Sequence, residues 1–254
     1  MLKKIALFSL ALGSLVSHNS VKAFEFPEKV PFGEVSANVN LATSYIWRGE
    51  VQNGNNPAIQ GGFDYSVGIY GDYVSAYAGI WGSPAGNTDG NLELDYYGGF
   101  SGAVPLLEDF LSYDAGILHY DYPGLGEHVD GSQDFTEYYG SIGIAVPFYD
   151  IGLSVYYGAS PTGYGANHGY DYINVGAEVP IPGTPFTAFG GFGSTGKENT
   201  GQGGYTDYTG GVGFAAFGLD HSLYFSGTEG YDDNDTDGMS GGGNHLVYTV
   251  GASF

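Results

Sequence analysis

Cysteine is absent from this chain, so it has no disulfide framework, no thiolate metal site and no cysteine nucleophile. Basic residues are nearly absent too: 6 Lys and Arg stand against 28 Asp and Glu, giving a net charge of -22. Nucleic acid is excluded as a partner by that balance. Long apolar runs are missing after the first residues, and no stretch keeps i, i+3, i+4 apolar spacing for three turns free of Gly or Pro, so helical membrane spans are excluded. What is abundant is glycine, 46 of 254 residues, with 23 Tyr and 16 Phe. A disordered acidic chain lacks such aromatics and a helical bundle lacks such glycine, which leaves an all-β protein.

The opening MLKKIALFSLALGSLVSHNSVKA sets Lys3 and Lys4 before an apolar run from Ile5 to Val16 and ends on Val21 and Ala23. This is the order of a secretory signal peptide, predicted over residues 1–23, and the run is too short to span a bilayer. Cleavage removes Lys3, Lys4 and Lys22, leaving a barrel domain over 24–254 with three basic residues.

Alternation with a period of two then recurs. Val35, Ala37, Val39, Leu41, Thr43, Tyr45 and Trp47 form one face, with small or polar residues between them and Ile46 the one exception. The same pattern returns at Leu92–Phe100, Ile151–Tyr157 and Leu246–Phe254. It predicts twelve strands over 34–48, 58–66, 73–82, 91–102, 111–120, 135–146, 151–159, 170–179, 186–193, 206–215, 218–227 and 244–254. Connections alternate between longer polar loops and mostly shorter links, as in an up-and-down antiparallel transmembrane β-barrel. A soluble β-sandwich also has short strands and glycine turns, but it does not require aromatics at strand ends. Here Tyr45, Trp47, Tyr65, Phe100, Tyr138, Tyr157, Tyr208 and Phe254 are expected on the apolar face as interfacial girdles. A chain closing within a strand on Phe254 points to the barrel assembly machinery, the outer membrane of a Gram-negative cell and its lipids as surroundings.

Several blocks also resemble a known family, the TorF family of outer-membrane porins. They are Leu41-Ala-Thr-Ser-Tyr-Ile-Trp-Arg-Gly49, Pro57-Ala-Ile-Gln-Gly-Gly-Phe-Asp-Tyr65, Ala78-Gly-Ile-Trp-Gly-Ser83, Leu92-Glu-Leu-Asp-Tyr-Tyr-Gly-Gly-Phe100, Tyr113-Asp-Ala-Gly-Ile-Leu-His-Tyr-Asp-Tyr-Pro-Gly124 and Thr136-Glu-Tyr-Tyr139. The likeness covers the N-terminal half in order; beyond Pro161 it is one of style and length. It implies a porin and leaves the solute open.

Parity assigns the candidate pore lining. Arg48 falls on the wet face beside the first long loop, where it either shapes a constriction or makes one salt bridge that steadies a strand end. Asp64, Glu93, Asp95, Asp114, Glu137 and Glu178 point inward, since a charge on the lipid face is costly at mid-membrane. Such a lumen predicts a passive channel for small hydrophilic solutes with cation preference. Tyr97, Tyr139, Tyr156, Tyr172 and Tyr224 also point inward, so the competing expectation is a plugged barrel serving as a surface-binding or structural protein.

An enzyme is not expected. Asp220 and His221 are neighbours on a strand and face opposite ways, and no serine is tied to His119 by a recognised pattern. Gly191–Lys197 nearly spells a phosphate-binding loop, but Glu198 stands where Ser or Thr belongs and no helix follows. No cofactor is expected beyond weak calcium in an outer loop. There Asp233, Asp235, Asp237 and Gly238 copy the opening of a calcium loop, while Asn244 stands where a bidentate Glu is needed. The competing reading of that loop is a solvated acidic surface.

Overall fold

A computed structural model describes residues 33–85, 92–123, 134–147, 149–163, 169–196, 204–230 and 242–254. Within them β1 (Glu34–Ala42), β2 (Ile46–Trp47), β3 (Glu50–Val51), β4 (Ala58–Tyr70), β5 (Val74–Pro84), β6 (Leu92–Ala103) and β7 (Leu111–Asp121) come first. They are followed by β8 (Phe135–Val146), β9 (Ile151–Ser160), β10 (Tyr170–Pro180), β11 (Phe186–Thr195), β12 (Thr206–Ala216), β13 (Leu219–Glu229) and β14 (Asn244–Ser253). All but β2 and β3 form one closed antiparallel barrel of 12 strands, each paired with its chain neighbour.

Closure satisfies the backbone groups that an open edge would leave bare. The seam joins β1 to β14 from Asn38↔Ser253 to Ala42↔Thr249. Phe254 extends it, its N–H donating to Ala37 O at 2.8 Å and its own carbonyl accepting from Ala37 N–H at 3.1 Å. The barrel therefore has a long-loop end and a short-turn end. Residues 217–218 illustrate the latter: Phe217 and Gly218 both take positive φ (54° and 78°), as a two-residue hairpin turn demands.

The two faces separate as the alternation requires. Leu41, Phe63, Phe100, Ile117, Val175 and Phe225 stand exposed on the outside, giving the wall an apolar outer surface. His119 and His221 share that outer parity. His221 stacks on Phe214 (centroids 4.9 Å apart) and hydrogen-bonds the Tyr248 hydroxyl at 2.7 Å. The buried residues lie inside, in aromatic groups such as Leu118, Tyr120, Phe135, Tyr156, Tyr170 and Tyr172.

One predicted strand is corrected. The first strand does not run to residue 48: it ends at Ala42. Thr43 turns there, its N–H donating to Tyr248 O at 3.0 Å, and the chain passes into the lumen instead of the membrane surface. Tyr45 and Trp47 are consequently not girdle residues; Tyr45 is buried and Trp47 packs against lumenal aromatics. The other strands agree with the sequence periodicity to within four residues at either end.

Candidate functional site: a hairpin folded into the lumen

The segment between β1 and β4 carries its own small hairpin, with Ile46 opposite Val51 and Trp47 opposite Glu50. The turn is Arg48-Gly49, with φ of 50° and 83°. Positive φ at both central positions marks a primed two-residue turn, for which Gly at the second place is suited. Space also requires glycine, because a Cβ on Gly49 would lie 2.7 Å from Gly227 O and 2.9 Å from Asp207 Cβ on the far wall.

Asn53 ties the base of the hairpin. Its Oδ1 accepts from Tyr45 N–H at 3.1 Å and from the Ser44 hydroxyl at 3.3 Å, and Gln52 N–H donates to Tyr45 O at 2.8 Å. Apolar contacts fix the flank. Ile46 and Val51 bury against Phe189, Tyr224 and Val247 of β11, β13 and β14. On the other side Tyr45 joins Ala58 and Trp81, and its hydroxyl donates to Glu93 Oε1 at 2.8 Å. Burial, then the Glu93 carboxylate, hold the Tyr45 phenol well above its ordinary pKa, so it stays a donor. The hairpin thus touches walls on opposite sides of the barrel.

Its tip carries the charge. Arg48 Nη2 reaches Glu137 Oε2 at 2.6 Å, and the two side chains are 8% and 0% exposed. The Glu137 carboxylate also accepts from the Tyr170 hydroxyl at 2.6 Å and from the Tyr156 hydroxyl. Gly158 makes room for it, since a Cβ there would stand 2.6 Å from Glu137 Cδ. The guanidinium lies 3.9 Å from the Tyr172 ring centroid and 4.4 Å from that of Trp47, near enough for cation–π attraction. Burial pulls the Arg48 pKa down, and the Glu137 carboxylate more than offsets it, leaving the group well above its ordinary value and charged.

The predicted lining residues fall into two tiers. Arg48, Glu93, Asp95 and Glu137 gather around the hairpin near the long-loop end, and the three acids are sealed from water. Asp64, Asp114 and Glu178 lie nearer the short turns and are only half-buried. There Tyr97 donates to Asp64 at 2.5 Å and Tyr77 to Asp114 at 2.5 Å. Arg48 reaches the lumen from a hairpin turn and not from the wet face of a strand. Asp233, Asp235 and Asp237 lie outside the described residues. Gly191–Thr195 is extended strand within β11, and Lys197 is also outside the described residues.

Parity reasoning set Tyr45 and Trp47 on the outer girdle because it carried the first strand too far, and it gave Asn53, in the loop over 49–57, no role. It also passed over Asp207, inward on β12, whose Oδ1 accepts from the Tyr172 hydroxyl at 3.2 Å. Among the described residues no cluster of three or more His, Asp and Glu is placed to hold a metal ion.

The model of a family described as "Bacterial protein of unknown function (Gcw_chp)" matches residues 28–254. No curated protein matches the sequence. Among solved structures, the NanC porin in a rhombohedral crystal form is similar at 13% identity and TM-score 0.52, over 86% of this chain and 98% of that one. An outer membrane channel from Pseudomonas putida F1 is similar at 8% identity and TM-score 0.52, over 89% and 97%. A structure from work on in-meso crystallization of membrane proteins is similar at 12% identity and TM-score 0.54, over 88% and 83%. These likenesses concern the fold, that of outer-membrane barrels.

Proposed function

The chain belongs to the Gcw_chp family of bacterial proteins of unknown function, and on that premise we propose that it is a gated channel of the Gram-negative outer membrane, passing small hydrophilic solutes by passive diffusion. The resemblance to the TorF porins supports the same reading. The observation that carries it is the hairpin itself. It is a separate element inside a complete barrel, joined to the wall by side chains around one buried ion pair, Arg48–Glu137. An element held in this way can leave without breaking any barrel strand pairing. No covalent chemistry is required of the protein.

Cation preference follows from the lining. Asp64, Asp114 and Glu178 face the half of the lumen outside the seal, and Arg48 is neutralised by Glu137. The proposal includes cleavage after residue 23, assembly through the terminal strand closing on Phe254, and a weak calcium-binding surface at Asp233, Asp235 and Asp237.

The burial of Tyr45, Ile46 and Val51 favours a second reading, a permanently plugged barrel that binds or supports partners at the surface. Planar-bilayer recording separates the two. The channel reading expects small or intermittent cation-selective currents from the wild type. It expects larger, steady currents when residues 44–56 are replaced by a short Gly-Ser link or when Arg48 is changed to Ala. Silent insertion of the wild type and of both variants, with the heat-modifiable mobility of a folded barrel, establishes the plug instead.

A further inference from the structure

The lumen holds a second carboxylate set among aromatic rings. Asp95 projects inward from β6, is 0% exposed, and has no hydrogen-bond partner at either carboxylate oxygen. Its cross-strand neighbours are Trp81 on β5 and Tyr120 on β7, directly opposite in register. Trp47 from the hairpin packs against both of the aromatic groups that contain them, meeting Tyr120 edge-on at 6.0 Å. Glu93, the next inward residue on the same strand, is also buried and turns one oxygen to Tyr45.

This is the setting in which the chain places its own guanidinium. Arg48 meets one carboxylate, Glu137, amid the faces of Trp47, Tyr170 and Tyr172. Asp95 repeats those parts with no donor facing it. A buried carboxylate left unpaired is strongly unfavourable, and the partner that suits it carries positive charge, N–H donors and a surface that aromatic faces attract. Among the described residues four buried acids, Glu93, Asp95, Glu137 and Asp207, stand against one Arg, so the charge balance also calls for a further cation.

We propose that Asp95, with Glu93 beside it and Trp81, Tyr120 and Trp47 around it, binds the ammonium or guanidinium group of a small organic cation. The inference deepens the channel reading, on which it rests, by naming a solute class.

The chain contains only two tryptophans, Trp47 and Trp81, and both belong to the proposed site. Intrinsic fluorescence of the full chain folded in detergent therefore reports directly on it. Ethylammonium and methylguanidinium chloride are titrated at constant ionic strength against sodium chloride. A saturable change is expected with the organic cations and not with sodium. Affinity should fall at least tenfold in Asp95→Asn and remain within twofold in Glu34→Gln, a carboxylate at the start of β1. Heat-modifiable mobility checks folding, and Asp95→Ser serves as the second variant. Equal titrations in wild type and Asp95→Asn, an identical response to sodium, or no saturable response overturn the proposal. Bilayer current without a titration sinks the site and leaves the channel; a titration without current under any condition sinks the channel and leaves the site.

Discussion

Replacing Arg48 by Ala removes one partner of a buried ion pair and leaves the other where water cannot reach it. Breaking such a pair costs about 3–5 kcal/mol. Glu137 keeps the hydroxyls of Tyr156 and Tyr170, so the lower end of that range applies. The cation–π contacts with Tyr172 and Trp47, worth about 0.5–2 kcal/mol, go with the same side chain and are counted within that figure. Salt screening needs little discount for side chains 8% and 0% exposed. A net loss of about 3 kcal/mol shifts the ratio of seated to unseated hairpin roughly a hundredfold, at about 1.4 kcal/mol per decade. None of this touches the barrel ladder, so the barrel should stay folded, its global unfolding free energy falling by no more than that loss. Because the chain is free of cysteine, a single Val51→Cys reports cleanly on seating: Val51 is buried against Val247 and its neighbours. The maleimide labelling rate of Val51→Cys should rise about a hundredfold on adding Arg48→Ala, with heat-modifiable mobility retained. A rate within threefold of the parent would show that the ion pair does not hold the hairpin.

Two further outcomes are expected. Gly49→Val places a β-branched side chain at φ 83° and within 2.7 Å of Gly227 O, so the hairpin should fail to seat, with the same rise in Val51→Cys labelling and an intact barrel. Val175→Arg puts a charge on the outer face of β10 and should lower barrel stability by about 2–4 kcal/mol in urea titrations in lipid; a loss under about 0.5 kcal/mol would argue against Val175 facing lipid.

The barrel was legible because a closed sheet with one face apolar and the other polar imposes a period of two on every strand. Asp64, Glu93, Asp95, Asp114, Glu137 and Glu178 were placed inward by parity alone, and all share the inner face of their strands with buried or half-buried residues. Parity failed at the first long loop for an identifiable reason. Thr43, Tyr45 and Trp47 happen to continue the alternation of β1, so the strand was extended through a bend that is set by tertiary contacts, the bonds between Thr43 and Tyr248. The signal against that extension was Ile46, the single apolar residue on the wet face. It belongs to a different element and buries against β11, β13 and β14. Trp47-Arg48-Gly49-Glu50 was likewise readable as a two-residue hairpin turn from Gly49. What no local pattern could supply is the partner of Arg48, since Glu137 lies 89 residues away and is brought opposite by barrel closure.

On the channel reading, the division of the acids into two tiers ties gating to selectivity. A count of inward carboxylates treats all six as equal, yet in the seated arrangement Glu93, Asp95 and Glu137 are sealed and one of them is already paired with Arg48. In the proposed channel only Asp64, Asp114 and Glu178 would act on solutes entering from the short-turn end, and Tyr97 and Tyr77 tether the first two. Unseating the hairpin carries Arg48 away from Glu137 and Tyr45 away from Glu93. That same movement admits water to the sealed acids and removes the one cation among them. In the proposed channel the path is therefore most negative once it opens, the sealed acids adding to Asp64, Asp114 and Glu178, and on that reading the Arg48–Glu137 pair sets both whether the lumen conducts and how strongly it favours cations.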